Sequence, residues 1–89
     1  MVREELQAAS DALRRAAEAA AEDAEERIYE QSNQLATLAA READPDHGRL
    51  ARHMNALDEI LDDVEGEVRE HVEHALERVR EYREGVEGV

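Results

Sequence analysis

The chain has 89 residues, enough for one small domain, and a single core of that size is only marginally stable alone. It holds 16 Ala, 17 Glu, 8 Leu and 11 Arg with no Lys, together 52 residues of the types that mark long helices. With two Tyr, no Phe, no Trp and one Pro it has little material for a sheet. The formal charge of −13 repels phosphate backbones and anionic membranes, which argues against direct nucleic-acid or membrane binding.

No cysteine is present, so disulfide and thiolate chemistry are excluded. The opening MVREELQAAS is too polar for a signal peptide or a membrane span, and the expected location is the cytoplasm. Acidity on this scale can signal disorder, but 42 % of the residues are hydrophobic and they are periodic, so the charge belongs to a surface. Replacement of every Lys by Arg beside so many carboxylates is the balance expected of a protein from a high-salt cytoplasm. Glu22, Asp23, Glu25, Glu26 and Glu30 set like charges three and four residues apart. Salt screens that repulsion, so helicity is expected to rise with KCl.

In chain order, the first predicted element is a helix over about 2–41, with an apolar seam running from Val2, Leu6 and Ala9 to Leu35 and Leu38. The seam repeats every eleven residues: Leu6, Ala17, Ile28 and Ala39 share one line, and Leu13, Ala24 and Leu35 another. A turn follows at about 42–45, where Asp44 as N-cap and Pro45 at the first helical position mark a helix start. The second helix is expected over about 45–84, with a frayed end at 85–89 beyond the Gly85 stop. It shares the period through Leu50, Leu61 and Val72 and through Leu57, Val68 and Val79.

An antiparallel pairing of these two helices can be tested by adding the numbers of facing residues, and the total stays at 88 or 89. It sets Ala9 against Val79, Leu13 against Ala75, Ala24 against Val64 and Ile28 against Leu61, with small residues facing larger ones. The fold class expected is therefore all-α: a single-domain, coiled-coil-like helical hairpin. Its two rods would each be about 60 Å long.

One narrow strip rich in Ala does not stabilise such a hairpin well. Ala8, Ala12, Ala16 and Ala19 form a second small-residue stripe on the first helix. His53, Ala56 and Ile60 begin a matching flank on the second, which continues through Glu67, His71 and His74. These flanks are interface candidates for a homodimer, two hairpins making a four-helix bundle; alternatively the Ala stripe reflects helix propensity alone and the flank is solvated.

Glu67, His71 and His74 stand at i, i+4 and i+7, a spacing that can present metal ligands from one face. Neither a Glu-x-x-His pair nor a His-Glu-x-x-His element is present, so solvated helix-face residues are the favoured reading and no cofactor is expected. Asp58, Asp62 and Asp63 lack the glycine turn of a calcium loop, and His47 suits turn packing. Gly66 marks either a bend or a tolerated substitution. The serines, Ser10 and Ser32, have no candidate base at hand, so the chain is expected not to be an enzyme.

The stretch DPDHGRLARHMNALDEI from Asp44 to Ile60, within Lys-free acidic helices, resembles a family of short haloarchaeal proteins of unknown function. The resemblance implies a haloarchaeal source and a cytoplasmic helical protein, and it brings no catalytic residue or ligand. The functional expectation is a non-enzymatic interaction or scaffolding module of a salt-rich cytoplasm. The alternatives are an acidic regulatory protein that docks a basic partner, as a nucleic-acid mimic would, and a His/Glu metal-binding bundle.

Overall fold

The computed structural model describes residues 3–41 and 47–85, and every regular element among them is a helix. In chain order these are α1 (Glu4–Ala19), α2 (Glu22–Ala40), α3 (His47–Leu61) and α4 (Gly66–Gly85). The expected turn at 42–45, the seam ends Val2 and Val86, and most of the frayed segment lie outside the described residues.

The two long rods are corrected. The first is divided at Ala20–Ala21 and the second between Asp62 and Glu65, so that the hairpin closes like a jackknife. α1 packs against both α2 and α4, α3 packs against α4, and α2 meets α3 least closely. The longest dimension is 38 Å, well short of the expected rod.

The physical reason is burial. A straight hairpin leaves the second Ala stripe in water, whereas folding it in half buries Ala12 and Ala16 of that stripe, and Ala8 in part, against the chain's own helices. Leu6, Leu13, Ile28, Leu35, Leu50, Leu57, Val72 and Val79 are fully enclosed, and Ala9, Ala12, Ala16 and Ala39 fill the close approaches between them.

The eleven-residue lines survive the folding, because Leu6, Ala17, Ile28 and Ala39 are all buried on either side of the break. Cross-hairpin partners also persist. Arg3 Nε donates to the Tyr82 hydroxyl at 2.8 Å, His53 Nδ1 lies 2.8 Å from Gln31 Oε1, and Arg27 pairs with Asp63 at 2.8 Å. Their number totals of 85, 84 and 90 lie within about one or two helical turns of the expected 88–89.

The two breaks differ in origin. At the first, Ala20 and Ala21 are both extended, with ψ of 156°, and neither helix end has a side-chain cap. Alanine is the strongest helix former, so this break is imposed by packing. The new helix start is helped by Glu22, Asp23 and Glu25, whose charges complement the α2 N-terminus.

The second break is written locally. Gly66 sits at φ +61°, a left-handed conformation that glycine adopts without penalty. Arg69 Nη1 donates to the Leu61 carbonyl at 2.6 Å, satisfying an orphan acceptor at the end of α3. The choice left open at Gly66 is thereby settled in favour of a bend.

Candidate functional site

Two stretches of eleven residues carry no carboxylate, 31–41 and 47–57, and they flank the α2–α3 connection. Elsewhere acidic residues recur every few positions. Because α2 and α3 run side by side from that connection, the fold sets these two acid-free segments against each other.

Between them lies a cleft of about 460 Å³. α2 contributes Gln31, Gln34, Thr37 and Leu38, and Arg41 follows at its C-cap. α3 contributes Arg49, Arg52 and His53. Three other hollows on the surface each carry three or four carboxylates, among them the one formed by Glu22, Glu25, Glu26, Tyr29, Glu30 and Asn33. Among the described residues, by contrast, the α2–α3 cleft is lined by three arginines and no carboxylate.

His53 is 8 % exposed and hydrogen-bonds through Nδ1 to Gln31 Oε1, which assigns the ring proton to Nδ1 and leaves Nε2 as acceptor. Burial first, then the charges of Arg49 and Arg52, push its pKa below the ordinary value of 6.5, so the ring is neutral at pH 7. Thr37 Oγ1 donates to the Asn33 carbonyl at 3.0 Å, and Gln34 Nε2 donates to Glu30 Oε1 at 3.3 Å, with Glu30 itself outside the lining. Among the described residues neither Arg41 nor Arg52 pairs with a carboxylate.

Of the interface candidates, Ala12, Ala16, His53 and Ile60 are buried by the chain's own helices, Ala8 and Ala56 are partly covered, and Ala19 is exposed. The weak metal candidates are divided. His71 Nε2 lies 3.5 Å from Glu67 Oε1, whereas His74 Nε2 faces Arg78 Nε at 3.5 Å. Among the described residues no three His, Asp or Glu side chains are gathered as a metal site.

Ser10 and Ser32 are fully buried and turned toward each other's backbone, so their hydroxyls serve packing. The cleft arginines were missed by reasoning from apolar periodicity, which weighs seams and ignores gaps in the acidic pattern. The two acid-free runs were the signal that could have found them.

Fold and site together define an all-helical, four-element bundle with an arginine-lined cleft between its second and third helices. The chain belongs to a family of unknown function, DUF7553, matched over residues 1–85. No curated protein and no solved structure matches it. Among the described residues no helix is long and apolar enough to cross a membrane.

Proposed function

We propose that this chain is a non-enzymatic helical interaction module that self-associates by exchanging halves in a salt-rich cytoplasm. The haloarchaeal source implied by the DPDHGRLARH stretch fits the Lys-free acidic surface. The observation that carries the reading is the Ala20–Ala21 break, made in the best helix-forming stretch of the chain with no Gly, Pro or side-chain cap to hold it.

Straightening there leaves the eleven-residue seam in phase, because Leu6, Ala17, Ile28 and Ala39 already lie on one line. An opened jackknife exposes the α1–α2 contact, and a second copy restores it. Two hairpins then form a four-helix bundle with the same contacts that one chain makes with itself.

The Cys-free background allows a direct test. A Ser10→Cys/Ser32→Cys variant, oxidised in about 2 M KCl, where surface charge is screened, is expected to give disulfide-linked dimers alongside the intrachain form. Light scattering of the unmodified chain is expected to give twice the chain mass. A monomeric mass with intrachain disulfide alone rejects self-association.

A second reading is supported by the face that carries Tyr29. This side chain is 51 % exposed among Glu22, Glu25, Glu26 and Glu30, an aromatic within an acidic field suited to a basic protein partner. Salt-released co-purification of a basic protein, lost on Tyr29→Ala, is its test.

A further inference from the structure

We propose that the exchange of halves is controlled by a latch at the α3–α4 break, where the Arg69 guanidinium holds the Leu61 carbonyl only in the folded-back chain, and that both breaks open together when it is released. The inference rests on the self-association reading and adds its regulation.

Placement is the first support. Ala20 and Ala21 of the first break and Asp62, Val64 and Glu65 of the second line one hollow of about 300 Å³, so the two hinges adjoin. The most extensive helix contact in the chain is that of α1 with α4. An α1 that opens alone leaves that contact to water, whereas α1 and α4 opening as a pair keep it, which requires the α3–α4 break to straighten too. The second seam tolerates this as the first does. Leu50, Leu61 and Val72 share one line of the eleven-residue repeat, and Leu57, Val68 and Val79 another, across the break.

Hydrogen bonding identifies the latch. At the end of α3 the Asp62 and Asp63 N–H groups reach back three residues, to the Glu59 and Ile60 carbonyls at 3.2 and 2.9 Å, and the Leu61 carbonyl accepts from Arg69 Nη1 at 2.6 Å. In a continuous helix that carbonyl accepts from the Glu65 N–H, and Arg69, eight residues on, lies about 12 Å further along the axis. The Arg69–Leu61 bond therefore belongs to one state alone. It is charge-assisted, and Leu61 is buried, so water replaces it poorly. Gly66 at φ +61° is likewise specific to the bent chain. The Arg69–Glu73 pair at 3.8 Å lies within α4 and survives in both states, and Arg27–Asp63 fits the register of a straight hairpin as well as the folded one.

The test joins two readouts in about 2 M KCl, where surface charge is screened. Sedimentation equilibrium gives the dimer dissociation constant. Arg69→Met and Arg69→Ala should each tighten dimerisation by roughly tenfold or more, because two closed chains each lose the bond and the opened ones lose nothing. Arg27→Gln should change it by less than about threefold. The second readout is the electron paramagnetic resonance distance between spin labels on an Asn55→Cys/Glu77→Cys chain, both positions being exposed, diluted in unlabelled chain. It should lengthen on dimerisation to about 33 Å, the span of 22 helical residues.

Unchanged dimer affinity in both Arg69 variants overturns the latch. A dimer whose label distance equals that of the monomer overturns the joint opening and leaves self-association standing. A monomeric mass at every concentration overturns self-association and this inference with it.

Discussion

Ser10 and Ser32 face each other across the α1–α2 contact and exchange hydrogen bonds. Ser10 Oγ donates to the Ser32 carbonyl at 2.9 Å, Ser32 Oγ donates to the Ser10 carbonyl at 3.1 Å, and the two hydroxyl oxygens are 3.2 Å apart. Hydroxyls that reach the opposite main chain require closely spaced backbones, and both residues are fully buried. Ser10→Ala removes one bond and its donor together, so it should cost only about 1 kcal/mol in urea unfolding. Ser10→Leu must force the helices apart and should cost about 1–3 kcal/mol or more.

Gly66 offers a cleaner test of local backbone strain. A Cβ placed there meets nothing within 4 Å, so any loss in Gly66→Ala comes from φ +61° and not from a clash. The expected loss is about 1–2 kcal/mol, measured by urea unfolding. Gly85→Ala, also in open space, should be far milder.

Ala21→Pro separates the folded-back chain from the straightened one. Ala21 has φ −69°, the value proline imposes, and Ala20 before it is extended with ψ 156°, as a residue preceding proline prefers. The compact form should therefore gain about 0.4–1 kcal/mol through a stiffer unfolded chain. A continuous helix through that point is penalised by about 3 kcal/mol. The expected result in light scattering is a shift from dimer to monomer with a raised melting temperature.

Acid sensitivity should trace partly to His53. Its folded-state pKa lies below the unfolded value of 6.5, so between the two the unfolded chain binds more protons. Its contribution to stability is complete above about pH 6.5 and is lost as the pH falls toward the folded pKa. Urea midpoints at pH 7.5 and 5.5 should differ less in His53→Gln than in the unmodified chain.

Much of the molecule was legible before its structure. Helicity and the position of the seam lines follow from periodicity, because a residue's face on a helix depends only on its position in the repeat, whereas the expected register set Gln31 against Leu57 and the structure bonds it to His53, four residues away. The turn-like nature of the Asp62–Gly66 stretch was half visible, since glycine is costly in a helix unless its backbone freedom is used. The Ala20–Ala21 break was invisible: its local chemistry says helix on both sides, and the burial gained by folding the hairpin in half outweighs that preference.

The same division holds for the candidate site. The amino-acid sequence by itself determined an all-helical chain, two stripes in need of cover, an acidic surface and two acid-free runs of eleven residues. Only the tertiary structure decided that the middle of these stripes is covered from within the chain, which places Ala12, Ala16 and Ile60 in its own core while Ala19 stays exposed. It also decided that Arg41, Arg49 and Arg52 share one concavity. Helix propensity and periodicity act over a few residues, whereas the choice between a straight and a folded hairpin is set by total buried area, a property of the whole chain.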